Sequence, residues 1–149
     1  KSCFALYPAA HLTHPERLDT VMGCVSDKFR SGVVIPHWCM KLFINAYTTP
    51  GTDMNDPRLS PMFYDASKFP KYVAVACGDA DTLYRMSFDL MKKISGSASG
   101  TNVDGSRKFI CVPNEAHEFN TFGRTRASQE ERDRVEGEAI NMIRASWRQ

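Results

Sequence analysis

Three titratable side chains stand where a parallel sheet places its chemistry: Asp79 and Asp81 in "CGDADTL", and His117 in "VPNEAHEFNTF". Each group follows a short apolar run. Residues 72 to 77 ("YVAVAC") stop at Gly78, and residues 108 to 112 ("KFICV") stop at Pro113. In open parallel sheets ligands bind beyond the carboxyl ends of the strands, so reactive groups are expected just after Cys77 and Val112. A carboxylate that holds an imidazole turns it into a general base, because it fixes the tautomer and stabilises the imidazolium formed when the histidine takes a serine proton. The two acids do not form a glycosidase-like pair, since their two-residue spacing suits a turn better than opposed jaws. "GSASG" (96 to 100) has the outline of a nucleophile elbow, but its centre is Ala98 and it follows a helical stretch instead of a strand.

The elements that must position these groups are read from apolar patterning. Residues 3 to 7 ("CFALY") form a third apolar run, and all three have little polar alternation, which predicts parallel strands covered on both faces by helices. Tyr84, Phe88, Leu90, Met91 and Ile94 predict a helix over 84 to 94. Ser128 with Glu131 reads as a capping box, opening a helix whose stripe is Val135, Ala139, Ile140, Met142, Ile143 and Trp147. The fold class is therefore α/β, with right-handed crossovers. Residues 9 to 70 are a long connection with helices expected at about 15 to 30 and 36 to 47. The second is apolar nearly all round and must be buried, or must roof a cavity. Residues 95 to 107 ("SGSASGTNVDGSR") read as a flexible loop.

Composition narrows the class. The chain has 149 residues, 19 Lys and Arg against 17 Asp and Glu, and no apolar run long enough to span a membrane. Its charges alternate in sign, as in "RTRASQEERDRVEGE", which makes a solvated face and argues against nucleic-acid binding. Five cysteines without CxxC spacing argue against a zinc site; Cys3, Cys77 and Cys111 read as small buried hydrophobes in a reducing, cytoplasmic compartment. No metal or cofactor is expected. The first residue is not Met and a strand begins almost at once, which suggests that the natural chain continues upstream.

Four segments in order resemble the C-terminal half of an α/β hydrolase of the hormone-sensitive-lipase-like carboxylesterase family. "FALYPAAHLT" (4 to 13) is similar to the strand after the nucleophile helix, and "NDPRLSPMF" (55 to 63) to the Asp-Pro-x-x-Ser-Pro segment. "ACGDADTLYRMSFDLMKKI" (76 to 94) resembles the Gly-x-x-Asp-Pro-Leu-x-Asp stretch, and "VPNEAHEFNTF" the His-Gly-Phe stretch. The resemblance implies Asp81 and His117 as the triad aspartate and histidine, with Asp79 left as a turn or capping residue. It implies Trp38, Leu83 and Phe119 as candidates for the substrate pocket. Thr82 stands where the family has Pro, Arg85 or Met86 where it has a second Asp, and Glu118 where it has Gly.

The family's serine in Gly-Asp-Ser-Ala-Gly and its His-Gly-Gly oxyanion segment are absent from this sequence. The resemblance thus implies a chain that supplies base and orienter, inactive alone, with a small-molecule ester as substrate and the N-terminal half of the same hydrolase as partner. Residues 1 to 10 and 50 to 149 would belong to the catalytic domain and residues 11 to 49 to a helical cap. A homodimer through the edge strand at 108 to 112 is also expected. The alternatives are a non-catalytic binding module on this scaffold, or a lactonase, amidase or acyltransferase.

Overall fold

The computed structural model describes residues 1 to 122 and 125 to 148. Strands β1 (Ser2–Leu6), β2 (Tyr72–Gly78) and β3 (Arg107–Val112) are all parallel and lie in the order β1-β2-β3. The helices are α1 (Leu18–Val21), α2 (His37–Tyr47), α3 (Tyr84–Ser95), α4 (Phe119–Phe122) and α5 (Arg126–Trp147). Each β-α-β connection leaves one strand at its carboxyl end and returns to the amino end of the next. All three carboxyl ends therefore lie on one rim of the sheet.

Alternation along β2 assigns its two faces. Val73 and Val75 pack with Leu90, Met91 and Ile94 of α3, while Ala74 and Ala76 pack with Val135 and Met142 of α5. A third cluster joins Leu18, Met22, Met40, Ile44 and Met54 to Leu83 and Met86 at the start of α3, so the long connection shares a core with the β2-α3 unit. Ser60 anchors that connection: its Oγ accepts from Leu12 N at 3.1 Å and donates to Leu12 O at 3.2 Å.

The structure corrects several expectations. No helix spans 15 to 30; a 3-10 turn (Pro15–Arg17) runs into the four-residue α1, and the chain then extends. Its backbone donors go elsewhere: Gly23 N donates to Thr82 O, and Val25 N and Ser26 N both donate to Asp79 O. The last helix opens at Arg126 with Thr125 as its cap, and Ser128 is the residue whose N–H donates to Thr125 Oγ1, at 3.0 Å. Residues 95 to 107 form a bonded turn in place of a flexible loop, with Arg107 N donating to Asn102 Oδ1 at 2.9 Å and Phe109 N to Thr101 Oγ1 at 3.3 Å. That turn precedes β3, which puts "GSASG" at the opposite end of the sheet from His117.

Helix α2 is present, but only Met40 and Ile44 are buried, while Trp38, Leu42, Phe43 and Tyr47 are exposed. Full burial of a large apolar side chain contributes about 1.5–3 kcal/mol, so the outer face of α2 leaves several such contributions unused. Cysteine burial also differs from expectation. Cys77 is buried, whereas Cys3 and Cys111 are exposed, because β1 and β3 are the edges of the described sheet and β2 lies between them. Burial, reinforced by Asp81, pushes the Cys77 thiol well above its ordinary pKa. Native alkylation at neutral pH followed by mass spectrometry should therefore modify Cys3 and Cys24 while sparing Cys77. Labelling of Cys77 as fast as in the unfolded chain would contradict this packing.

Candidate active site

The three strands exit beside one another, and their exits meet. Asp81 follows β2 in a tight turn, with its own N–H donating to Gly78 O and its Oδ1 accepting from Leu83 N at 2.8 Å. This is the local bonding that makes Asp a turn residue, here spent on starting α3. The other oxygen, Oδ2, lies 2.9 Å from Nδ1 of His117, and the Asp81 side chain is completely buried. An Nδ1–H donating to that carboxylate leaves Nε2 as the proton-accepting nitrogen, and Nε2 has no hydrogen-bond partner among the described residues. Asp79 faces the other way: its Oδ1 accepts from Asn114 N at 2.8 Å, tying the β2 turn to the β3 turn.

His117 is held from its backbone as well. His117 N donates to Val33 O at 3.0 Å and Val33 N donates to His117 O at 2.7 Å, a strand-like exchange with the long connection. Beneath it Glu115 is fully buried. Its Oε1 accepts from Ser128 Oγ at 2.8 Å and from Arg30 Nε at 3.1 Å, and its Oε2 from Ser31 Oγ at 2.5 Å. Nothing in residue type or spacing marks Arg30, Ser31 and Glu115 as partners. Gly78 is required by close approach: a Cβ there would sit 2.0 Å from Glu115 O. Thr82 donates from its Oγ1 to Ile35 O at 3.1 Å, a bond that the proline of the resembled segment could not make.

A groove of about 690 Å³ opens beside the imidazole, lined by Leu6, Tyr7, Leu12, Ile35, Phe43 and Leu83 among others, with His117 as its imidazole. Of the pocket candidates, Leu83 lines this groove. Trp38 stands outside its lining at 66% exposure, and Phe119 is fully buried against the sheet. Tyr7 is a site residue that the sequence reading missed. Its ring lies 4.3 Å from the His117 ring, tilted 59°, and its hydroxyl donates to Asn120 Oδ1 at 2.7 Å. Burial, then the charge of Glu118, raises the phenol pKa, so the hydroxyl remains a donor. The strand-exit rule would have flagged it had β1 been ended at Leu6.

Glu118, where the resembled segment has glycine, has φ +57. A non-glycine residue there costs about 1–2 kcal/mol, partly offset in a Gly variant by about 0.5–1 kcal/mol of extra chain entropy. Since no salt bridge holds Glu118 among the described residues, Glu118→Gly should raise the thermal midpoint by about 1–4 °C. A fall in the midpoint by calorimetry would mean that the Glu118 side chain does more than tolerate the turn.

The parallel sheet, its two helical faces and a rim bearing the residues after each strand define an α/β fold of the α/β-hydrolase type. Among solved structures it is similar to brefeldin A esterase, a bacterial homologue of human hormone-sensitive lipase, with a TM-score of 0.54 at 21% identity over 74% of this chain. The chain spans 30% of that protein's length. No family model matches the sequence, and no curated protein matches it.

Proposed function

We propose that this chain is the C-terminal portion of a serine carboxylesterase of the hormone-sensitive-lipase-like group, supplying Asp81 and His117 of a Ser-His-Asp triad. The observation that supports it most is the buried Asp81 carboxylate 2.9 Å from Nδ1 of His117, at the edge of an apolar groove. In this reading His117 takes the proton of a serine hydroxyl as the serine attacks the ester carbonyl. It then returns that proton to the departing alcohol, and the same cycle run with water releases the acid. Leu83 and its neighbours in the groove would receive an apolar part of the ester. Residues 11 to 49 would serve as a cap, with α2 as its main helix.

The serine and the oxyanion donors would come from the N-terminal half of the same hydrolase, which would pair with the open edge of β1. Without them the chain alone is expected to turn over no ester. A homodimer would have to use the β3 edge, where Arg134 Nη2 already donates to Cys111 O at 3.1 Å.

The test uses the full-length protein that contains this chain, with p-nitrophenyl esters of rising chain length and a fluorophosphonate label. His117→Ala should reduce kcat by at least about a thousandfold, since an acyl-transfer base lost from a triad costs that much or more. Turnover within about threefold of wild type would refute the assignment. A wild-type protein that neither hydrolyses esters nor takes the label would be a binding module on this scaffold.

A further inference from the structure

We infer that Tyr7 is the positioning residue for the His117 imidazole, holding by ring contact the face that the Asp81 hydrogen bond leaves free to turn. The inference rests on the reading of His117 as general base. A single hydrogen bond at Nδ1 fixes one edge of the ring but not rotation about the Nδ1···Oδ2 direction, and the terminal torsion of histidine is intrinsically broad. The Tyr7 ring, with its centroid 4.3 Å from that of His117, removes this freedom.

Tyr7 is itself fixed from several directions. Its backbone N–H donates to Ala76 O at 2.7 Å, its hydroxyl donates to Asn120 Oδ1 at 2.7 Å, and the buried Phe119 ring meets it edge-on at 6.2 Å. Asn120 lies three positions after His117, so tyrosine and histidine are anchored to the same turn. The backbone of Tyr7 is held at φ +36, a conformation in which a bulky residue is an outlier and persists only where the surroundings over-determine it. The other two non-glycine residues with positive φ among those described are Asn114 and Glu118, both in the loop that presents His117. A tyrosine present merely to fill space would need neither the hydroxyl bond nor the strained exit from β1.

In the full-length protein, Tyr7→Leu is expected to lower kcat by about thirtyfold or more with KM changed by less than about threefold, the signature of a displaced catalytic group. A short substrate such as p-nitrophenyl acetate keeps the groove-lining role of Tyr7 out of the measurement. Tyr7→Phe and Asn120→Ala should each cost about threefold to tenfold in kcat, and the double variant no more than either, because both remove one and the same bond. A folded Tyr7→Leu variant with kcat within about threefold of wild type overturns the inference. If that variant does not fold, additive losses in Tyr7→Phe and Asn120→Ala, or no loss in either, overturn it instead. His117→Ala, measured alongside, separates the two claims: activity surviving there sinks the general-base reading itself, whereas its loss beside a fully active Tyr7→Leu sinks only the role of Tyr7.

Discussion

In the full-length protein, Asp81→Asn is expected to lower kcat by about ten-thousandfold while leaving KM nearly unchanged, as neutralising the orienting acid does where a histidine must hold one tautomer. The substitution is nearly isosteric, and the asparagine Oδ1 can keep the bond from Leu83 N at 2.8 Å, so the start of α3 should survive. What changes is the partner of Nδ1. An amide NH₂ turned toward the imidazole demands an acceptor there, which moves the ring proton to Nε2, the nitrogen that takes the serine proton in the proposed triad. Steady-state kinetics with a p-nitrophenyl ester, beside a thermal melt, separates this loss from unfolding. A folded Asp81→Asn variant with kcat within about tenfold of wild type would leave His117 without a need for its carboxylate.

Glu115→Ala should have the largest effect on stability, about 3 kcal/mol, which for a chain of this size is a fall of about 6–12 °C in the thermal midpoint. The carboxylate is fully buried and joins three segments: Arg30 and Ser31 of the long connection, the loop bearing His117, and Ser128 in the first turn of α5. Removing it strands the Ser31 hydroxyl in a dry site, leaves the Ser128 hydroxyl with Thr125 Oγ1 alone at 2.8 Å, and opens a cavity. Arg30, about a third exposed, can turn to water, which keeps the cost below that of a wholly buried ion pair. Glu115→Gln keeps the shape and two acceptor sites at most, and should cost about half as much. A melt of Glu115→Ala within about 2 °C of wild type would show that the clamp bears little load.

The parts of this architecture that were legible in the sequence are those with local causes. The apolar run of β2 and the spacing of Leu90, Met91 and Ile94 in α3 reflect burial within one β-α unit, and burial leaves its period in the sequence. Asp81 and His117 were reachable because strand exits in a parallel sheet share a rim, and a family resemblance then selected one acid of the two. The segment after α1 was misread for the opposite reason. Leu18, Val21, Met22, Val25 and Phe29 recur at helical intervals, yet Val25 and Phe29 are exposed and Gly23, at φ +154, breaks the run. Its backbone is satisfied by Thr82, Asp79 and Asn114, partners tens of residues away that no local period announces. Tyr7 was hidden by a strand boundary one residue too long, and the Glu115 clamp by the distance between its members.

The exchange of hydrogen bonds between Val33 and His117 ties the imidazole to a segment 84 positions earlier in the chain, and the Glu115 clamp spans 84 and 85 positions. Contacts this distant are made after the entropy of closing a long loop has been overcome, whereas α3 and its pairing with β2 need only short loops. The histidine would thus reach its place late in folding, after the sheet and its helices have condensed. A chain caught before that step would have nearly all of its native secondary structure and a histidine without an address.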